Sequence, residues 1–173
     1  EFPLSSNLHY IVGNLLFEDG KASRADAFLK SARDLDQLRF RADSRINSTI
    51  RHQWSRDDAR WIPVDAELPL IEDNPRQVLG FPHFYEHVHF SFRANFLIAR
   101  QIARSFLENE SLDTDALDSI DWQQAATALA YSPFEAWKIL SEINRRFAQP
   151  PFSEIPGYAR KVAWMEDLRQ QLD

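Results

Sequence analysis

Glu86 and His89 stand three residues apart in the run Phe84-Tyr85-Glu86-His87-Val88-His89-Phe90-Ser91-Phe92. A carboxylate at that spacing can accept a hydrogen bond from one imidazole nitrogen. The tautomer is then fixed, and the other nitrogen is left to take a proton. The pair therefore has the makings of a general base, His89, and its orienting acid, Glu86. Two further imidazoles, His83 and His87, lie in the same stretch. His87-x-His89 on an extended segment would direct both rings to one side, as a zinc site requires. A downstream glutamate to complete such a site is missing, and Arg93 occupies that region. Clustered histidines beside aromatic rings are more often packing or hydrogen-bonding residues than ligands, so no metal is assigned.

A general base needs a nucleophile to act on. The sequence contains neither Gly-Asp-Ser nor Gly-x-Ser-x-Gly, and Ser44 and Ser91 read as helix residues or caps. Cysteine is absent, which removes a thiol nucleophile, a disulfide and a zinc-thiolate site. Only four glycines occur in 173 residues, and neither the P-loop nor the dinucleotide pattern is among them. No cofactor is expected. A net charge of −6 with interleaved signs argues against a nucleic-acid partner. No apolar run approaches the roughly 20 residues that span a bilayer. The start, Glu1-Phe2-Pro3-Leu4, has no initiator methionine and no signal-peptide pattern. It reads as a processed or subcloned end with a domain missing upstream.

The elements that would position these residues are helical. Leu8, Ile11, Val12, Leu15 and Leu16 mark a helix over 8–18, closed by Asp19-Gly20. Ser23 reads as the cap of a second helix, with Ala25, Phe28, Leu29, Ala32 and Leu35 on one stripe. A tight turn between two short helices gives an antiparallel pair. Residues 38–54 read as a third helix. Its Arg39, Arg41, Arg45 and Arg51 could form an anion-binding surface, but the interleaved Asp34, Asp36 and Asp43 favour a solvated face with local ion pairs. Residues 60–65 are the one good strand candidate, and Pro63 confines it to an edge. Residues 66–82 read as a long loop with Pro69, Pro75, Gly80 and Pro82 as breakers. After the Glu86/His89 run comes a helix to about 107, then an acidic linker over 108–119. Asp121 with Gln124 opens a helix over 122–130. Ser132-Pro133-Phe134-Glu135 opens a stronger one. A last helix covers 158–172. No catalytic constellation is visible in this C-terminal third, which reads as a helical appendage.

Two resemblances sharpen the expectation. The Glu86-x-x-His89 run resembles the final block of the SGNH (GDSL-type) ester hydrolases, where Asp-x-x-His between the last strand and last helix supplies the acid and base. Here Glu replaces Asp. The order of elements over 47–107 fits the last βα unit of that fold. The family's nucleophile and oxyanion-hole blocks have no counterpart. The resemblance thus implies an ester hydrolase or acyl-transfer protein with His89 as base, Glu86 as acid and the nucleophile outside this chain.

Residues 7–38 resemble one tetratricopeptide repeat. Gly13 and Ala25 stand at its small positions, Gly20 at its turn and Ala32 near its end. His9 departs from the usual large aromatic, and Gln37 stands near the usual proline. A single repeat is not stable alone. The arrangement looks like bacterial proteins combining both parts. The expected architecture is mainly α. It has a repeat-like hairpin and third helix over 7–54, an SGNH-like terminal βα unit over 55–109 with one or two short extended segments, and a helical region over 110–173. Such a chain would be inactive alone. The alternative is a non-catalytic helical interaction module with a protein or peptide partner on the hairpin.

Overall fold

The computed structural model describes residues 4–38, 40–54, 61–76, 78–80 and 83–171. The protein is mainly helical, with nine α-helices and no strand among the described residues. Arg39, the polar turn expected at 55–59, Arg60, Pro82 and Leu172 lie outside the described residues.

Helices α1 (Ser6–Glu18) and α2 (Ala22–Asp34) form an antiparallel hairpin. Ser5 caps α1 by accepting from the Leu8 amide, and Gly20 makes the turn at φ 73°. The order of contacts runs Ser6 Oγ to the Ala32 carbonyl (2.8 Å), the His9 ring to Phe28 (5.6 Å), then Gly13 to Leu29. Small residues make this approach possible. Ala25 is fully buried, and a Cβ added to Gly13 would lie 2.8 Å from Leu29 Cγ.

The third helix starts later than its apolar stripe predicts. It runs as α3 (Ser44–Trp54), because aspartates turn the chain before it. Asp36 Oδ1 accepts from the Leu38 amide, Asp34 Oδ1 from the Ser44 amide, and Asp43 Oδ1 from the Ile46 amide. The bonds to Asp34 and Asp36 hold the chain out of a helix, and the Asp43 bond caps the start of α3. Arg51 on α3 pairs with Asp65 (3.0 Å) and Glu67 (2.5 Å), both beyond the helix and not among the interleaved Asp34, Asp36 and Asp43.

The strand expected over 60–65 is corrected. Residues 61–65 join no ladder, and Trp61 stays 76% exposed. A ladder requires a neighbouring strand, and none occurs among the described residues. The following segment is also not wholly loop. Pro69 sits in the first turn of α4 (Leu68–Glu72) and starts that helix, since its missing N–H is not needed there.

Helix α5 (Phe92–Asn109) is capped by Ser91, which accepts from the Ala94 amide. Short helices α6 (Asp115–Asp118) and α7 (Trp122–Ala128) follow, the latter opened by a reciprocal Asp121/Gln124 capping box. Helix α8 (Pro133–Phe147) has the Ser132 cap with proline in its first turn, and α9 (Tyr158–Gln170) ends the described chain. Two apolar clusters form. One joins Leu70 of α4 to Ala94 and Leu97 of α5. The other joins Leu140 and Phe147 of α8 to Met165 of α9. Helix α9 also returns to α1: Arg160 donates to Asn14 Oδ1 (2.5 Å) and pairs with Glu18, and Tyr10 lies against Gly157.

Candidate functional site

The segment 83–91 is a short lobe between the two clusters. It is closed by an antiparallel bridge between Phe84 and Phe90, with the Tyr85 amide bonded to the His89 carbonyl and the Ser91 amide to the His83 carbonyl, both at 2.9 Å. Phe90 packs on the α4–α5 cluster and Tyr85 on the α8–α9 cluster, so the lobe ties the two together. The Tyr85 hydroxyl also meets that of Tyr131 at 2.8 Å.

Glu86 sits inside this lobe with its side chain 5% exposed. Its carboxylate accepts from the backbone amides of His87 (2.7 Å), Val88 (3.2 Å) and His89 (2.6 Å). Oε1 also accepts from His89 Nδ1. The His89 ring is 70% exposed, and its Nε2 has no partner among the described residues. Partial burial pushes the Glu86 carboxyl up. The His87 imidazole and the amide and ring of His89 outweigh it and hold the group well below the ordinary carboxylate range. Glu86 is therefore ionised at neutral pH and places its charge on His89 Nδ1. The two residues that the sequence singles out are in direct contact.

Of the other two histidines, His87 also lies beside Glu86 and His83 turns away from it. His87 is packed among rings, 4.4 Å from Phe40 and 4.7 Å from Phe152, with Nδ1 2.5 Å from Glu86 Oε2 but out of line for a hydrogen bond. His83 is fully buried and donates from Nε2 to Asp73 Oδ2 at 3.0 Å. Arg93 holds the other Asp73 oxygen at 2.5 Å. The three imidazoles thus do not converge, and among the described residues no group of three or more His, Asp or Glu side chains is placed to hold a metal. Asp65 is taken up by Arg51. The candidate serines are also occupied: Ser91 caps α5, and Ser44 Oγ accepts from Arg33 at 2.6 Å.

Sequence reasoning missed the groups that the C-terminal third delivers to the lobe. Lys161 of α9 is 4% exposed; its Nζ donates to the Phe84 carbonyl at 3.2 Å and lies 4.2 Å from the Trp164 ring centre. Burial drives its amine down to about 7, against the opposing attraction of Glu86. Phe152 and Tyr131 reach the lobe from the same third. The one available signal was Lys161 standing directly before the apolar run Val162-Ala163-Trp164-Met165.

No helix among the described residues is long and apolar enough to cross a membrane. No family model, curated protein or solved structure matches the chain.

Proposed function

We propose that Glu86 and His89 are the orienting acid and general base of an SGNH-type ester hydrolase or acyl-transfer site whose serine lies outside this chain. One observation carries this reading: the buried Glu86 carboxylate holds His89 by Nδ1 while Nε2 faces solvent. That is the arrangement a base needs before it can take a proton from a hydroxyl. His89 Nε2 would accept the serine proton as Oγ attacks the ester carbonyl. The imidazolium formed is stabilised by Glu86. It then returns the proton to the leaving alkoxide, and water or an acceptor alcohol repeats the cycle on the acyl-enzyme.

A fluorophosphonate probe read by intact mass tests this. The isolated chain is expected to give no adduct. In the assembled protein the probe should label a serine outside residues 1–173, and His89→Ala should slow labelling by about a hundredfold or more. Equal labelling in the variant defeats the proposal.

A second reading is favoured by the surface of α1. Ile11 and Leu15, one turn apart, are 46% and 59% exposed. In this reading the chain is a helical module whose tetratricopeptide-like hairpin binds a protein or peptide, and Glu86 only staples the lobe. Absence of any adduct in the assembled protein, with assembly abolished by Ile11→Glu and Leu15→Glu, would select it.

A further inference from the structure

Helix α5 is apolar on two sides, and only one of them is covered. Ala94 and Leu97 are buried, and they meet Leu70 of α4. Ile102 and Phe106 stand about 140° and about 180° around the helix from Leu97. They are 51% and 52% exposed. Asn95 and Ala99 continue the same exposed stripe toward the start of the helix. A helix that is apolar beyond its core-facing side is one that packs against a second partner. The end of α5 adds to this surface. The Leu112 amide bonds back to the Leu107 carbonyl at 2.8 Å, which folds the exposed Leu112 onto the last turn.

The surroundings of the stripe are acidic. Residues 105–137 hold seven carboxylates and no lysine, arginine or histidine, so the negative charge here has no local counterweight. Arg104 neutralises Asp118, and Glu108, Glu110 and Asp115 pair with no cation among the described residues. Glu108 and Glu110 stand at the end of the stripe itself.

This charge selects what covers the face. The phosphates of a nucleic acid or an anionic lipid surface would meet carboxylates at the rim. A second copy of a chain with net charge −6 would bring the same carboxylates against them. A helix with one apolar stripe flanked by lysines or arginines satisfies both parts. Its stripe covers Ile102 and Phe106, and its cations lie against the acidic rim. Apolar contact then supplies the affinity, and charge supplies orientation and on-rate.

We propose that the outer face of α5, centred on Ile102 and Phe106 and rimmed by Glu108 and Glu110, docks a basic amphipathic helix of a partner protein. The proposal is independent of the Glu86/His89 reading, which uses none of these residues.

The test is fluorescence anisotropy with a labelled lysine/leucine peptide of about 14 residues, its leucines at helical spacing. Two controls accompany it: a scrambled peptide of the same composition without an apolar stripe, and a glutamate/leucine peptide with the stripe intact. Saturable binding of the amphipathic lysine peptide is expected, with the scrambled and glutamate peptides at least tenfold weaker. Ile102→Ser combined with Phe106→Ser should weaken the lysine peptide by about tenfold or more. Glu108→Lys combined with Glu110→Lys should also weaken it and should strengthen the glutamate peptide. That variant keeps its fold, because the helix dipole favours cations at a C-terminus. Equal binding of the scrambled peptide would overturn the proposal by showing attraction of charge alone. Unchanged affinity in both variants would overturn it by placing the peptide elsewhere. A wild-type dimer in sedimentation that Ile102→Ser with Phe106→Ser dissociates would overturn it in favour of a second copy, and binding to phosphatidylserine vesicles lost in the same variant would overturn it in favour of a lipid surface.

Discussion

Replacing Lys161 by methionine keeps an unbranched stem of similar length and deletes the amine. In the folded chain burial holds this amine at about 7, against an ordinary 10.5. Between those values the unfolded chain binds a proton that the folded chain does not. Stability therefore rises with pH through this window, by about 1.4 kcal/mol per pH unit where the difference is one whole proton. Near pH 7 the folded amine is half protonated, so the slope starts at half that value. Integrated from about pH 7 to about pH 9.5, the wild type should gain about 3 kcal/mol. Below pH 7 both states are charged and this contribution is flat. The window closes before Tyr131 matters: burial and its bond to Tyr85 push its phenol well above the ordinary 10, which costs stability only above that pH. The assay is urea unfolding followed by tryptophan fluorescence at half-unit steps of pH. Lys161→Met should remove most of the rise, leaving a flatter line that crosses the wild-type curve. Parallel curves for the two proteins would refute the reasoning, because Lys161 would then be charged in its buried position. The Phe84 carbonyl loses its donor in the variant, so a constant offset of about 1 kcal/mol is also expected.

Glu86→Gln should destabilise the protein by about 2 kcal/mol at neutral pH, since a carboxylate accepting from three amides and a ring loses its charge. Because the folded Glu86 carboxyl lies below its ordinary 4.5, its contribution is present above that pH and lost as pH falls below it. The variant should accordingly show a shallower acid unfolding curve by circular dichroism. Gly13→Ala should cost about 1–3 kcal/mol in denaturant unfolding, because the new methyl meets Leu29 while helix propensity returns at most about 1 kcal/mol. His83→Ala should cost about 3 kcal/mol in the same assay, from the cavity at a fully buried site and the loss of a bond to Asp73.

The helices were legible where their ends are local. Asp121 with Gln124, Ser132 with Glu135 and Ser91 with Ala94 cap through neighbours three residues away, whereas Ser23, read as a cap, lies inside α2 behind Lys21. The contact of Glu86 with His89 was legible for the same reason, as an interaction across three residues. The start of α3 was not, because Asp34 and Asp36 take backbone amides ahead of it and Asp43, not the apolar stripe, sets the cap. The extended stretch at 61–65 has strand-like residues, yet a ladder depends on a partner strand that local sequence cannot supply. Lys161 illustrates the largest gap. Its donation to the Phe84 carbonyl spans 77 positions, and the depressed amine follows from that tertiary burial alone.

The central claim is that Glu86 fixes His89 with Nδ1 protonated and Nε2 bare. Long-range 1H–15N correlation spectra of the imidazole rings measure that tautomer directly. Neutral His89 should carry its proton on Nδ1 in the wild type and shift toward Nε2–H in Glu86→Ala. A wild-type His89 already carrying its proton on Nε2, unaltered by the substitution, would contradict it.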